Sequence, residues 1–246
     1  MRHDNRRPII RRLIRRIHIR RLEAGEHALD ESEAHHARDV LRLPDGAAIE
    51  LFDDDGNRAD GALLHHGAHG ALIRVGKISA QSAPQFQLTI ASAVPKGERA
   101  DWMVEKLSEL GVVAFIPLAT ARSVVHPQGQ GKRQRWERIA AESAKQCRRA
   151  GVMRIEPLTD LAEALKSTET GWYLSTGEAR PISQMLPGLA GSLSLLVGPE
   201  GGWTDQEIEA FEVKRLTAVA LTSTILRVET AAIAAAAIVA TMGIKN

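Results

Sequence analysis

The stretch from Leu193 to Glu207 constrains the fold more than any other part of the chain. Leu193 to Val197 is an apolar run of strand length, and it stops at the Gly198-Pro199 punctuation. After Gly201-Gly202, Thr204-Asp205-Gln206-Glu207 has the spacing of a capping box, with threonine as N-cap and glutamate at the third helical position. A buried strand, an open loop and a helix start therefore follow one another directly. The same alternation runs upstream. A strand is predicted over Gln87 to Ala93, a helix over Glu98 to Leu110 with Met103, Leu107 and Leu110 as its buried stripe, and a strand over Val113 to Leu118. A long helix from about Lys132 to Arg149 comes next, then short units around Ile155, Leu161 and Trp172-Tyr173-Leu174. Strands that alternate with helices predict an α/β domain built on a mostly parallel sheet, over residues 85–246.

With 246 residues, 44% of them apolar, the chain can hold a second domain. Residues 1–78 read as β-rich. Arg16 to Ile19 alternates, Ala48 to Phe52 follows, and Asp53-Asp54-Asp55-Gly56 supplies a turn before Arg58 to Leu64 and Ala71 to Val75. A short helix from Ser32 to Leu41, with Ser32 as N-cap and Val40 and Leu41 inward, completes a compact barrel. His65, His66 and His69 fall in an expected hairpin turn around Gly67 and Gly70. The polar run Ser79 to Pro84 reads as a linker.

One cysteine, Cys147, excludes an internal disulfide framework and a multi-cysteine zinc site. The adjacent His35 and His36 diverge by about 100° on a helix, so no metal is expected there. No apolar stretch reaches the roughly twenty residues of a membrane span, and the first residues lack the apolar core of a signal peptide, which leads to the expectation of a cytoplasmic protein.

The net charge of +2 conceals a strong asymmetry. Residues 1–21 hold nine arginines against one aspartate, residues 22–78 hold five basic and twelve acidic side chains, and Arg122 to Arg154 holds nine basic and two acidic. Two basic patches on a nearly neutral protein imply a polyanion held along a defined track. On the long helix, Arg135, Arg138, Lys145 and Arg149 recur near a helical period as one basic face suited to phosphate.

The loop after Val197 exposes backbone, yet it lacks the lysine and hydroxyl of a phosphate loop, and Glu200 would repel phosphate. A ligand bearing a purine, a ribose and a positive sulfonium fits such a loop, which describes S-adenosylmethionine. A second segment, Leu221-Thr222-Ser223-Thr224-Ile225-Leu226-Arg227-Val228-Glu229-Thr230, leads into another helix. The pair GPEGG and ILRVETA, in that order, resembles the knotted methyltransferases of the SPOUT superfamily, and within it the RsmE family, which methylates N3 of a uridine in small-subunit ribosomal RNA. Val228 stands where threonine is usual. His35 to Leu43 with Leu51-Phe52-Asp53 is similar to that family's PUA-like RNA-binding domain, and Glu142 to Arg149 to its glutamine-centred helix motif.

The resemblance implies an N-terminal PUA-like β-barrel, a C-terminal trefoil-knotted domain, S-adenosylmethionine as cofactor, 16S rRNA within the small subunit as substrate, and a homodimer. It places Gly198, Pro199, Glu200, Gly201, Gly202, Leu221, Ser223, Leu226 and Arg227 around the cofactor, with Gly201 and Gly202 avoiding a Cβ where it approaches. Arg15, Arg16, Arg122, Arg135, Arg138, Gln146 and Arg149 are the residues expected to meet RNA. Arg122 or Arg227 would steady the oxygens of a deprotonated uracil, and Glu200 or Glu229 would accept its proton. For Lys106 and Glu109 a surface ion pair is the simpler reading. A ribose 2′-O methyltransferase on the same fold, and a non-catalytic RNA-binding or ribosome-assembly protein, are the competing readings.

Overall fold

The computed structural model describes residues 15–67, 70–80, 86–127 and 129–243, and the chain divides into two compact units, Met1–Gln81 and Ser82–Asn246. The arginine-rich segment before Arg15, His69 and most of the expected linker lie outside the described residues.

In the first unit, apolar alternation builds one sheet from β1 (Arg15–His18), β2 (Gly25–Ala28), β3 (Ala48–Phe52), β4 (Arg58–Gly67) and β5 (Gly70–Ser79), in the order β1-β3-β4-β5-β2. β1 runs parallel to β3, and the other ladders are antiparallel. Ile17, Ile49, Leu51, Leu63, Ile73 and Val75 fill its core. Buried Asp53 organises the turn before β4: it accepts from the Asn57 amide and side chain, both at 2.8 Å, and from the Leu22 amide at 3.2 Å.

Four expectations are corrected here. β1 and β2 end the strand order and no ladder joins them among the described residues, so the barrel is a five-stranded sheet with two edges. β2 was missed because Gly25-Glu26-His27-Ala28 carries no apolar alternation; it is an edge strand on β5. The helix is capped by Asp30 instead of Ser32, since the Asp30 carboxylate accepts from the Glu33 amide at 2.8 Å; α1 (Glu31–His35) then widens into a π turn over His36–Val40 that leaves Val40 61% exposed. His65 and His66 pair with Leu72 and Ala71 inside the β4/β5 ladder, not in a turn.

The second unit alternates strand and helix. β6 (Phe86–Ser92), α2 (Glu98–Glu109), β7 (Ala114–Ala119), α3 (Gln130–Cys147), β8 (Arg154–Ile155), β9 (Thr159–Asp160), α4 (Leu161–Lys166) and β10 (Gly171–Leu174) come first. β11 (Arg180–Pro181), β12 (Gly191–Val197), α5 (Asp205–Val213), β13 (Thr217–Ala220) and α6 (Val228–Ala240) follow. The strand order is β11-β13-β10-β12-β6-β7-β8, with β9 beside β7, and every ladder is parallel.

Strand periodicity sorts side chains onto the two faces. Leu193, Leu195 and Val197 enter one core with Met103, Leu107, Trp136 and Ala140, while Leu196 enters the other with Tyr173 and Phe211. Ala232, Ala235 and Ala236 are fully buried, and their small side chains let α6 lie directly on α2 and β6. Among the described residues no helix is long and apolar enough to cross a membrane. Because the strands are parallel, the loops after β6, β7, β10, β12 and β13 gather at one edge of the sheet, where open α/β folds bind ligands.

Candidate functional site

β10 lies between β12 and β13, so the loop after β12 (residues 198–204) and the loop after β13 (221–227) flank its end. Two strand spacings separate them, about 10 Å, which is room for one nucleoside.

The loop after β12 is braced from several directions. Trp203 Nε1 donates to the Leu174 carbonyl at 2.9 Å, tying the loop to the end of β10, and its ring stands edge-on to Phe211 with centroids 4.9 Å apart. Gly198 lies beneath that ring: a Cβ there would come within 2.9 Å of it. Arg122, in the loop after β7, donates through Nη1 to the carbonyls of Gly201 at 2.7 Å and Trp203 at 3.3 Å. The capping box forms as the spacing predicts, with Thr204 and Glu207 bonded to each other's backbone amides. Buried Glu207 goes further, because its other oxygen accepts from the Ala121 amide at 2.9 Å. One carboxylate thus fastens the loops after β7 and β12 together. Thr120 and Ser123, whose hydroxyls are 2.8 Å apart, close the remaining turn beside Arg122.

These contacts change the reason for the glycines. A Cβ on Gly201 would press on the Arg122 side chain at 3.2 Å, so Gly201 is small for the sake of Arg122. At Gly202 a Cβ would meet nothing within 4 Å; its φ of +71° is what calls for glycine.

The loop after β13 is held differently. Leu221 packs on the larger core, but Thr222 and Thr224 bond to each other, and Ile225 is 82% exposed. Ser223 is exposed and Leu226 half-buried; exposed Arg227 forms the N-cap of α6 in extended conformation. Glu229 sits in the first turn of α6, where the helix dipole favours a carboxylate, and only 4% of it is exposed. Arg99 Nη1 donates to its Oε1 at 3.2 Å, while Oε2 is shielded from water and has no hydrogen-bond partner among the described residues. Glu98, Arg99, Trp102, Arg227, Glu229 and Thr230 line a cavity of about 300 Å³ there. Glu200, the other candidate carboxylate, is exposed in its loop.

The expected basic face of α3 is corrected. Arg149 donates to the Ser108 and Val112 carbonyls, both at 2.8 Å, and burial pushes its guanidinium below the ordinary value. Lys145 is 9% exposed and bonds to Glu142. Arg135 reaches Asp101 at 2.8 Å, alongside Lys132 and Trp136, which clamps α3 to α2. Arg135 itself stays exposed despite this tie, as do Arg138 and Gln146. In the first unit Arg15 is exposed, but Arg16 is buried, paired with Glu50 at 2.9 Å and stacked 3.8 Å over the Phe52 ring. Lys106 makes the surface pair with Glu109 at 2.8 Å and a second with Glu105. Among the described residues no group of His, Cys, Asp and Glu is placed to hold a metal ion.

Sequence reasoning overlooked Trp203, Arg99 and Asp101, and read Glu207 as a capping residue without its tie to Ala121. Glu207 and Trp203 could have been flagged by their position against the glycine loop; Arg99 and Asp101 depend on partners more than thirty residues away, which no local signal marks.

A braced glycine loop on a parallel sheet, followed by a helix that starts at an arginine and a buried glutamate, recurs in a known class. Residues 81–240 match the RNA methyltransferase domain family and residues 29–76 the RNA methyltransferase PUA domain family, so the chain has the make-up of an RNA methyltransferase with a PUA domain. The ribosomal RNA small subunit methyltransferase E of Synechocystis is 34% identical over 82% of this chain and 69% of its own length; that of Bacillus subtilis is 32% identical over 85% and 87%. The crystal structure of ribosomal RNA small subunit methyltransferase E from Neisseria gonorrhoeae, bound to S-adenosyl methionine, aligns with a TM-score of 0.80 at 29% identity, covering 91% of this chain and 95% of that one. The chain belongs to the ribosomal RNA small subunit methyltransferase E family, as its paired motifs imply.

Proposed function

We propose that this protein methylates N3 of a uridine in 16S rRNA with S-adenosylmethionine, working in the cytoplasm as a homodimer whose α6 threads a trefoil knot. In this reading residues 1–78 hold the RNA and residues 85–246 the cofactor and target base. The observation that carries it is the preformed loop of residues 198–204, tied by Trp203 to β10 and by Arg122 and Glu207 to the loop after β7, in a chain of this family. The donor set fits a cofactor that is positive and free of phosphate: Glu200 stands in the loop, and Glu229 offers a buried oxygen that lacks a partner. Gly198 and Pro199 and the pair Gly201 and Gly202 present backbone on one side; Leu221, Ser223, Leu226 and Arg227 close the other.

When bound, S-adenosylmethionine supplies an electrophilic methyl group on a sulfonium. The chain's residues align and desolvate the partners. The target uridine must leave its stack to enter, and its N3 carries a proton. Arg122 or Arg227 draws down the pKa of that N–H by facing the uracil oxygens, and Glu200 or Glu229 takes the proton. Arg15, Arg138 and Gln146 hold surrounding RNA through contacts that position without reading sequence.

The test is methyl transfer from labelled S-adenosylmethionine to unmodified small subunits and to free rRNA, followed by nucleoside mass spectrometry. N3-methyluridine is the expected product. A methylated ribose would replace this reading by the 2′-O one, and an unlabelled RNA with no cofactor binding would leave an RNA-binding protein.

A further inference from the structure

Beyond β7, two prolines interrupt the sheet. β8 pairs with β7 at Ala114 and Phe115, and the ladder resumes where Thr159 and Asp160 of β9 meet Leu118 and Ala119. Between these points Pro117 stands opposite the segment Glu156 to Leu158, which contains Pro157. Proline has no N–H for a ladder, so the strands part here. The gap opens a cavity of about 400 Å³, walled by Pro127, Pro157 and Leu158, floored by buried Pro117 and Trp136, and reached by the first turn of α3. No residue of the loops after β12 and β13 lines it.

The lining suits one nucleotide. Apolar side chains pack on the face of a base, and a base drawn out of its stack is held in such a slot with hydrogen bonds to its edge. Lys132 and Arg133 stand in the first turn of α3, which holds no acidic residue and whose N-cap, Gly129, offers no side chain. Two cations there oppose the helix dipole, a placement that an anion relieves. Lys132 is bonded to Asp101 at 2.7 Å and Arg133 is paired with Glu137 at 3.0 Å, yet a lysine has three donors and an arginine five, so both keep N–H groups for a phosphate. Among the described lining residues Glu156 is the one acid. Its amide is spent on the Phe115 carbonyl at 2.9 Å, and its side chain lies loosely by Arg154 at 3.7 Å, so its carboxylate keeps acceptor capacity.

We propose that this cavity receives a guanine nucleotide of the substrate RNA, a second unstacked base beside the one that is methylated. Pro127, Pro157 and Leu158 pack on the guanine, Glu156 accepts from its N1–H and its N2 amino group, and Lys132 and Arg133 hold its phosphate. Guanine alone among the four bases sets two donors side by side on its Watson–Crick edge. Uracil has one N–H between carbonyls, and adenine and cytosine set their amino group beside an acceptor nitrogen that a carboxylate repels. β7 is two strands from β12, so the cavity lies roughly 10–15 Å from the loop of residues 198–204, within reach of a nearby nucleotide of the same strand. The inference rests on the chain being an RNA enzyme, and it adds sequence reading to contacts that otherwise only position.

The test is binding of the full-length protein to single-stranded RNA oligomers that carry one uridine, with guanosine, inosine or adenosine placed at each position around it, read by fluorescence anisotropy at fixed salt. At one position guanosine binds about tenfold tighter than adenosine, and inosine, which lacks the N2 amino group, falls between. In Glu156→Gln the preference passes to adenosine, because an amide presents one acceptor and one donor. Arg133→Ala weakens all oligomers alike and lowers the salt slope by about one, with the base preference intact. Glu156 and Arg133 are both partly exposed, so neither variant threatens the fold. Absence of a base preference at every position overturns the proposal, as does a guanosine preference that survives Glu156→Gln. Guanosine 5′-monophosphate competing as well as the oligomer overturns it too, since the cavity would then be a site for free nucleotides. Binding is read without methyl transfer, so each outcome is distinct from failure of the N3 assignment, which leaves the oligomers bound and N3 unmethylated.

Discussion

The two loops that flank β10 differ in composition, one rich in glycine and the other in hydroxyl and aliphatic side chains, and are held in opposite ways. The loop after β12 is tied outward at Arg122, Glu207 and Trp203 to neighbours that are distant in sequence. The loop after β13 bonds chiefly to itself, through Thr222 and Thr224, and shows Ile225 to solvent. On the proposed reading, one wall of the site is preformed and would contribute affinity by pre-organisation, while the other would gain order from what binds. The same division runs along α3, where Arg149 is tied inward and Arg138 is left open.

The largest expected effect lies in the braced loop. Gly201→Arg drives a side chain into Arg122 and lowers cofactor affinity by at least about a hundredfold, about 2.7 kcal/mol, with RNA affinity within twofold, measured by calorimetry and filter binding. Unchanged cofactor affinity would refute the loop assignment. Glu207→Ala removes the capping box and the Ala121 tie together; a loss of about 2–3 kcal/mol in urea denaturation is expected. A loss under about 0.5 kcal/mol would show that the brace is decorative.

The clamp on α3 adds a pH dependence. Burial opposes charge on Asp101, but hydrogen bonds from Lys132 and Trp136 and the charges of Lys132 and Arg135 outweigh it and hold the carboxyl below its ordinary value of 3.8. A depressed folded-state pKa contributes stability that is complete above the unfolded value and is lost as pH falls through the folded one. Asp101→Asn therefore lowers Tm by a few degrees at about pH 7 and narrows the gap to wild type as pH falls below about 4. A gap that widens in acid contradicts the clamp.

Arg138→Ala should weaken RNA binding about equally across sequences and reduce the salt slope by about one, with stability within about 0.5 kcal/mol. Arg149→Met, the inward counterpart, should leave the slope alone and lower stability. The smallest effect belongs to the open loop: Thr222→Ala changes stability by less than about 0.5 kcal/mol. An effect as large as that of Glu207→Ala would erase the contrast between the two loops.

Much of the fold was legible because the signals were local. Apolar runs marked β6, β7 and β12, and the spacing of Thr204 and Glu207 marked the start of α5. The failures were equally physical. Edge strand β2 shows no alternation because little of it is buried. Arginine at a helical period cannot tell solvent from a neighbouring helix, since its apolar stem and five donors suit both, and so Arg149 and Arg16 were read as outward. In the site, motif spacing found the two loops but not what holds them: the carboxylates of Glu207 and Asp101 reach across 86 and more than 30 residues to their partners.

On the proposed reading, the double hold of Arg122 on the Gly201 and Trp203 carbonyls would make it a latch shared by two ligands. A phosphate or base oxygen that recruits this guanidinium must compete with those carbonyls, and drawing it away loosens the wall that contacts the cofactor. Thermodynamic reciprocity then requires that whatever factor RNA imposes on cofactor affinity through Arg122, the cofactor imposes on RNA affinity in return. The order in which the two arrive, and the release of the methylated product, would then be linked through one side chain that belongs to neither motif loop.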